Sequence, residues 1–260
     1  MGETPVSSAN QIRWTSAARC HVGLVREVNE DAFLDRPERA LWAVADGMGG
    51  HDAGDLASAS VVSALDGLVP CAGLTYYAAA VRDRLQDVNR HLREEAASRD
   101  VSIIGSTVVV LLARERYCAY LWAGDSRIYL HRNGRLKLLS HDHSPSEDPR
   151  LRGQAAGQGP AQAAHNLITR AVGAVDNLEL DQGAIMVADG DIFLLCSDGL
   201  TKQVSEQAIS SALAAGDCRH AADALIDLAL KGGGRDNITA VVIHAEDPDG
   251  SDMTVLNPSL

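Results

Sequence analysis

Short apolar segments separated by turn sequences constrain the fold of this chain most. Six such segments have the length and the β-branched content of strands. They occupy residues 41–45, 107–113, 117–123, 128–132, 192–196 and 239–244. Only residues 124–126 separate the third segment from the fourth when the fourth is counted from Arg127, and Asn133–Gly134 after the fourth is a hairpin signal. Because such short turns join antiparallel neighbours, the pattern predicts antiparallel sheets, with strand 117–123 paired to strand 128–132.

Helical periodicity fills the intervals between these strands. The clearest case is the apolar series Val81, Leu85, Val88 and Leu92, whose spacing fits one face of a helix. Further helices are predicted at about residues 53–68, 206–215 and 219–231. The three glycines at 232–234 would end the last of them. Strands in the middle with helices around them predict an α+β fold, in which helices cover antiparallel sheets.

The composition fits one folded domain, since 46% of the 260 residues are hydrophobic and 22% are charged. We expect that domain to span residues 15–246, between a flexible N-terminus at 1–14 and a flexible tail at 247–260. Residues 144–164 are rich in Gly and Pro, which predicts a long surface loop.

Several classes of protein are disfavoured by the sequence. The five cysteines are odd in number and form no C-x-x-C pair, which fits a reducing cytoplasm. The N-terminus has no apolar core of a signal peptide, and no stretch reaches the length of a membrane span. A formal net charge of −12 without a basic cluster opposes nucleic-acid binding. We therefore expect a cytoplasmic monomer with neither nucleic-acid nor membrane partners.

The most informative residues are four aspartates. Asp46, Asp125 and Asp198 each follow an apolar segment, and Asp236 precedes the last one. Acids that converge at strand ends repel one another unless a cation lies between them. Oxygen ligands suit the hard ions Mg²⁺ and Mn²⁺. The alternative for each Asp-Gly pair is ordinary turn chemistry, but four acids placed alike favour a metal site.

Six short motifs carry a family resemblance. They are REVNEDA at 26–32, DGMGG at 46–50, GST at 105–107, AGDSR at 123–127, CSDGL at 196–200 and GRDNI at 234–238. In this order they resemble the metal-dependent protein phosphatases of type 2C, the PPM family, and above all its small stand-alone bacterial members. The resemblance spans roughly residues 15–245.

The resemblance implies a four-layer αββα sandwich, in which two antiparallel sheets lie between layers of helices. It also implies hydrolysis of phosphoserine and phosphothreonine in proteins by a water that bridges two metal ions. The partners would be phosphorylated proteins, namely a bacterial Ser/Thr kinase and its substrates. A kinase that regulates a secretion system is one candidate. Residues 144–164 would be the variable flap beside the active site.

Metal ligands are also implied by the resemblance. Asp46 would bridge two Mn²⁺ or Mg²⁺ ions, Asp198 and Asp236 would complete the first site, and the Gly47 carbonyl would bind the second ion. Asp125, together with Asp198, would hold a weaker third ion.

The remaining implied roles surround those ions. Glu30 and Asp31 would bind metal or its waters, Arg26 would bind phosphate, and Asn237 would orient Asp236. Met48 replaces a histidine that eukaryotic relatives carry after Asp-Gly. The acid that protonates the leaving group therefore stays open between His51 and a metal-bound water.

Two other functions compete with this interpretation. Cys20 and Arg26 have the C-x5-R spacing of cysteine-nucleophile phosphatases. However, Val22, Leu24 and Val25 predict a strand where that chemistry needs a phosphate-binding loop. A catalytically inactive relative that serves as a binding module is the second alternative, although such a protein would be expected to have lost metal-binding acids.

Overall fold

The computed structural model describes residues 12–49, 53–144 and 170–248. The strands within these ranges are β1 (Arg13–His21), β2 (Asp31–Arg36), β3 (Leu41–Gly49), β4 (Ile104–Ser106), β5 (Val108–Arg114), β6 (Tyr117–Ala123), β7 (Arg127–Arg132), β8 (Arg135–Leu138), β9 (Asp181–Met186), β10 (Ile192–Cys196) and β11 (Ile238–Glu246). The helices are α1 (Gly54–Asp66), α2 (Leu74–Ser98), α3 (Asp198–Thr201), α4 (Glu206–Ala214) and α5 (Cys218–Lys231).

The strands form two antiparallel sheets. The first sheet has the order β1-β11-β10-β7-β8, and the second has the order β2-β3-β5-β6-β9, with β4 added alongside the end of β3. Each strand pair in both sheets is antiparallel, as the turn signals predict.

Successive side chains along each strand point to opposite faces of its sheet, and this alternation creates three apolar layers. In β3, Trp42 and Val44 pack between the two sheets, whereas Ala43 and Ala45 pack against α1 and α2. In the first sheet, β10 and β11 likewise contribute one face to the space between the sheets and the other face to a core with α4 and α5. The four-layer αββα sandwich is therefore confirmed.

The predicted helices are confirmed with small shifts at their ends. The series at residues 81, 85, 88 and 92 is buried along α2. Helix α5 begins at Cys218 behind the side chain of Asp217, which accepts a hydrogen bond from the backbone N–H of His220. It ends against Gly232, the first of the three glycines.

The predicted pairing of β6 with β7 is wrong. Strand β6 pairs with β5 and β9 in the second sheet, whereas β7 pairs with β10 and β8 in the first. Packed sheets lie about 10 Å apart, a distance that three extended residues can span. Residues 124–126 connect the sheets, beginning at Gly124, which has φ of 111° and on which a Cβ would lie 2.6 Å from the Cβ of Thr107.

The Asn133–Gly134 hairpin is confirmed. Both residues have positive φ, 52° and 71°, as the right-handed twist of a two-residue hairpin requires. Arg132 and Arg135 on either side of the turn form the first pair of the β7–β8 ladder.

Three predicted segments differ from the structure or lie largely outside the described residues. Strand β1 begins at Arg13, so Arg13 and Trp14 belong to the first sheet although the N-terminus was expected to be flexible to residue 14. Residues 22–25, predicted as a strand, form a turn between β1 and β2. The 144–164 loop lies outside the described residues except for Ser144, as do residues 1–11 and 249–260 of the expected flexible ends.

Within the described ranges, none of the helices has both the length and the apolarity needed to cross a bilayer.

Candidate active site

The candidate site lies at the end of the sandwich where the chain passes from one sheet to the other. Residues 22–30 connect β1 of the first sheet to β2 of the second, and residues 124–126 connect β6 to β7. The end of β3, the start of α3 and the start of β11 carry the other predicted acids. The topology therefore collects residues from both sheets in one place.

Asp46 lies at the centre of an acidic cluster. Its position in β3 continues the face of Trp42 and Val44, so its side chain points between the sheets. Burial raises the pKa of Asp46 well above its usual range, and the charges of Asp31, Asp198, Asp125 and Asp236 raise it further. Four acids thus act on one carboxyl group, as expected for a site that binds cations.

Asp31 faces Asp46 directly across the β2–β3 ladder. One of its oxygens, Oδ2, accepts hydrogen bonds from the hydroxyls of Ser197, directly after β10 of the first sheet, and Thr239 in β11, each at 2.7 Å. Burial raises the pKa of Asp31 to about 7 despite these two bonds. Asp31 therefore connects the two sheets through one oxygen and leaves the other oxygen for the cluster.

The backbone of Asp46 is fixed from the neighbouring strand. Its N–H donates to Thr107 Oγ1 at 3.1 Å, and its carbonyl accepts from the Thr107 N–H at 2.9 Å and from Ser106 Oγ at 3.1 Å. The Thr107 hydroxyl also contacts Ser126 Oγ at 2.7 Å, next to Asp125. These bonds hold two acids of the cluster in a fixed relation.

Three carboxylate oxygens in the cluster are buried without a hydrogen-bond partner among the described residues: Asp31 Oδ1, Asp125 Oδ1 and Asp198 Oδ1. Burial and the nearby Asp198 charge raise the pKa of Asp125 to about 7. Buried carboxylate oxygens without a partner are costly unless a cation or a proton satisfies them. The residues present therefore fit a site for hard metal ions.

Glycine is required where β3 meets α1. A Cβ on Gly47 would lie 1.9 Å from the carbonyl oxygen of Gly54, and a Cβ on Gly54 would lie 2.2 Å from Glu30 Oε1. The Gly47 N–H donates to the Glu30 carbonyl at 3.0 Å. Burial raises the pKa of Glu30, against the opposing effect of Arg26. Glu30 and Gly47 thus lie side by side at the edge of the acidic cluster.

Arg26 lies at the open side of the cluster. Its Nε pairs with Asp236 Oδ1 at 3.0 Å, and its side chain is half-exposed. A guanidinium has further N–H groups that suit two phosphate oxygens. The position is compatible with the predicted role in phosphate binding.

Asn237 contacts both Asp236 and the 22–30 segment. Its side chain binds the segment: the amide Nδ2 donates to the carbonyls of Val22 and Val28 at 2.9 and 3.0 Å, and Oδ1 accepts from the Glu30 N–H at 2.8 Å. Only its backbone N–H contacts the Asp236 carboxylate. Asn237 therefore holds the 22–30 segment, which carries Arg26 and Glu30, in place.

Comparison with known protein families shows which family this chain belongs to. The family model for protein phosphatase 2C matches residues 24–224. The chain belongs to this family. The match includes each predicted site residue except Asp236 and Asn237, which follow it in the sequence.

One curated relative and two solved structures illustrate the similarity to this phosphatase family. The serine/threonine protein phosphatase PstP of Mycobacterium tuberculosis is 36% identical over 243 residues, which are 90% of this chain and 45% of that protein. The structure of PppA, described as a key regulatory component of T6SS in Pseudomonas aeruginosa, is 44% identical with a TM-score of 0.81, covering 89% of this chain and 97% of that one. The PstP catalytic domain in complex with two manganese ions is 34% identical with a TM-score of 0.80, covering 91% and 100%.

Lys202 is a residue of this phosphatase 2C site that the sequence did not suggest. Its ammonium group pairs with Asp198 Oδ2 from one turn further along the chain. Burial alone would lower the pKa of Lys202, but the Asp198, Asp125 and Asp236 carboxylates together raise it. The i,i+4 spacing of Asp198 and Lys202 at a helix start was the available signal.

A second polar cluster contacts the 124–126 connection, which contains Asp125. His141, His143 and Asp181 bring one ligand-type atom each within 4.8 Å of one another. His143 Nδ1 accepts from the Gly124 N–H at 3.2 Å, so the neutral ring carries its proton on Nε2, 3.3 Å from Asp181 Oδ2. Burial lowers the pKa of His143 and keeps the ring neutral. Because Nε2 has no free lone pair in this tautomer, we interpret the cluster as support for Gly124.

Cys20 does not have the surroundings of a nucleophile. It lies in β1, and its sulfur contacts Thr239 Oγ1 and Asn29 Nδ2, each at 2.9 Å. Burial raises the pKa of the Cys20 thiol above its usual value. Since the thiolate is the reactive form, the geometry opposes the cysteine mechanism.

Proposed function

We propose that this phosphatase 2C family member hydrolyses phosphoserine and phosphothreonine in proteins, with Mn²⁺ or Mg²⁺ as cofactor. One observation carries the proposal. Asp31, Asp125 and Asp198 each have a buried oxygen with no partner among the described residues, and these acids lie around Asp46. The pKa of Asp46 is raised by burial and by the charges of four neighbouring acids. Such a cluster binds hard cations, and hard cations bind phosphate oxygens.

The residues divide into metal ligands and a phosphate anchor. Asp46, the Gly47 carbonyl, Asp198 and Asp236 would hold two core ions, in accord with the two manganese ions of the PstP catalytic domain. Asp125, with Asp198, would hold a weaker third ion. Glu30 at the edge of the cluster and Asp31 opposite Asp46 would bind metal or its waters.

When bound, the ions supply a water of lowered pKa and neutralise charge on the phosphoryl group. Arg26 binds and orients the phosphate, while Asp236 fixes the direction of its guanidinium through Nε. Met48, which stands where eukaryotic relatives have a histidine, is paired with Gly105 at the end of β3 and offers no proton. His51, the other candidate acid, lies outside the described residues.

The biological setting is also a proposal. We infer that the chain is a cytoplasmic monomer that antagonises a bacterial Ser/Thr kinase and binds neither nucleic acid nor membranes. All five cysteines are free thiols, which suits a reducing compartment. A kinase that regulates a secretion system is supported by the similarity to PppA.

The test is metal-dependent turnover of a phosphothreonine peptide. We expect negligible activity after chelation, and recovery with Mn²⁺ or Mg²⁺. Asp46→Asn, Asp198→Asn and Asp236→Asn should each lower kcat by at least ~10²-fold, because each removes a charged ligand.

Cys20→Ser is the matched control, since serine removes the thiol but can still hydrogen-bond Thr239 and Asn29, and it should keep nearly full activity. Activity that survives excess chelator, or an inactive but folded Cys20→Ser protein, would contradict the metal mechanism. A folded protein that binds Mn²⁺ but hydrolyses no phosphorylated substrate would instead support the inactive binding module.

A further inference from the structure

Three large apolar side chains are exposed on the segment that carries Arg26. Leu24, Val25 and Val28 expose 65%, 66% and 45% of their surface, and we call them the apolar patch. Other exposed large hydrophobic residues among the described ranges lie elsewhere in the chain: Phe33, Val69, Tyr76, Tyr117 and Met186. A concentration of exposed apolar surface marks a contact site more often than single exposed residues do.

The apolar patch is held firmly by the backbone. The Asn237 amide binds the carbonyls of Val22 and Val28, and the Leu24 N–H donates to the Gly234 carbonyl at 2.6 Å. Gly23, with φ of 86°, packs so closely that a Cβ would lie 2.3 Å from the Asp236 carbonyl oxygen. The segment is therefore fixed at several points, and its side chains keep a defined position.

The patch also borders the proposed phosphate anchor on both sides. Arg26 lies between Val25 and Val28 in sequence, and its guanidinium pairs with Asp236 of the acidic cluster. Residues of an extended peptide advance by about 3.3 Å each, so the neighbours of a bound phosphoresidue remain close to the anchor. Apolar surface on this segment would therefore lie near the residues that flank a bound phosphoresidue.

We propose that the apolar patch binds a large apolar side chain within two positions of the phosphorylated residue of a protein substrate. This inference rests on the proposed function and names a substrate class for the same site. Glu27, exposed within the same segment, and the net charge of −12 disfavour an anionic membrane as the occupant. The patch thereby adds selectivity that Arg26 and the metal site alone do not provide.

The test compares the wild-type protein with the double variant Val25→Ser/Val28→Ser. The substrates are two phosphothreonine peptides that differ only in having leucine or serine at the flanking positions, and p-nitrophenyl phosphate. We expect wild type to have the lower KM for the leucine peptide. In the double variant, KM for the leucine peptide should rise by roughly tenfold while kcat stays nearly unchanged. The KM values for the serine peptide and for p-nitrophenyl phosphate should also stay nearly unchanged.

Val69→Ser is the matched control, because Val69 is 79% exposed but follows α1 instead of lying beside Arg26. It should leave KM for the leucine peptide unchanged. Equal KM values of wild type for both peptides would overturn the inference, as would an equal rise for all substrates in the double variant. Wild-type protein that hydrolyses none of the substrates with Mn²⁺ would instead overturn the proposed function.

Discussion

At the residue scale, Lys202 pairs with Asp198, a carboxylate that is proposed to bind metal, and we expect it to compete with the ion. Its ammonium group pairs with Asp198 Oδ2, and it lies near enough to Asp125 to oppose the rise of that pKa. A fixed positive charge beside a cation site weakens cation binding. We predict that Lys202→Met tightens Mn²⁺ binding by roughly three- to tenfold, as measured by isothermal titration calorimetry.

The control for this prediction is Lys231→Met, at the exposed end of α5 and away from the acids. It removes the same formal charge and should leave Mn²⁺ affinity almost unchanged, since exposed distant charges are screened. Weaker Mn²⁺ binding in Lys202→Met would show that the lysine orients Asp198 instead of competing for it.

A second residue-scale prediction concerns Arg26. Lysine cannot reproduce the paired N–H groups of a guanidinium, and alanine removes the charge altogether. We expect Arg26→Ala to raise KM for p-nitrophenyl phosphate clearly, with a smaller fall in kcat. An unchanged KM in steady-state kinetics would remove Arg26 from the phosphate site.

At the element scale, the 22–30 connection depends on the side chain of Asn237. That side chain makes three hydrogen bonds to the backbone of the connection and is almost fully buried. Asn237→Ala would leave buried backbone groups without partners, which costs about 2–4 kcal/mol of unfolding free energy. We also expect a higher KM for phosphorylated substrates, because Arg26 would lose its fixed position.

Urea unfolding and steady-state kinetics on the same preparations would measure both effects. Asn177→Ala, at an exposed position, is the matched control and should change neither quantity much. A stability loss without any change in KM would mean that Arg26 is positioned by its pairing with Asp236 alone.

The elements that the sequence predicted correctly share a position in the fold. Its six strands are the interior strands β3, β5, β6, β7, β10 and β11, which are covered on both faces and read as apolar runs. The strands it missed include three at the sheet edges, β1, β2 and β9, whereas the fourth edge strand, β8, was indicated only by the Asn133–Gly134 hairpin signal. In β9 (Asp181–Met186) half-buried and exposed positions alternate regularly, but Asp181 and Gly183 occupy the less exposed face, so the sequence DQGAIM shows no apolar periodicity.

Short connections explain the remaining errors at this scale. A turn of three residues is equally compatible with a hairpin and with a crossing between packed sheets, so the sequence around Asp125 could not distinguish them. The Asn133–Gly134 turn was decidable because its positive φ values are specific to one hairpin geometry. The acids themselves were predicted from the motifs, whereas the partners of Asn237 and Lys202 depend on tertiary contacts.

At the scale of the whole molecule, the acidic cluster couples folding to both pH and metal. The pKa values of Asp31 and Asp125 are raised to about 7 by burial, and that of Asp46 is raised as well. The same carboxyls in an unfolded chain titrate near pH 4. Between about pH 4 and pH 7 the unfolded metal-free chain therefore binds fewer protons than the folded one, so its unfolding free energy falls as pH rises.

Bound metal ions would take the place of those protons, so they would offset the loss of unfolding free energy that the metal-free chain shows as pH rises. We predict that the gain in Tm on adding Mn²⁺ is larger at pH 8 than at pH 5, because at pH 5 protons still occupy the acids and compete with the metal. Scanning calorimetry in chelator and in Mn²⁺ at both pH values measures it. Asp46→Asn removes the central carboxylate, so in chelator it should raise Tm at pH 8 more than at pH 5. A metal-free Tm that is insensitive to this substitution at pH 8 would mean that the cluster stores no such repulsion, and the cation site would have to be sought elsewhere in the fold.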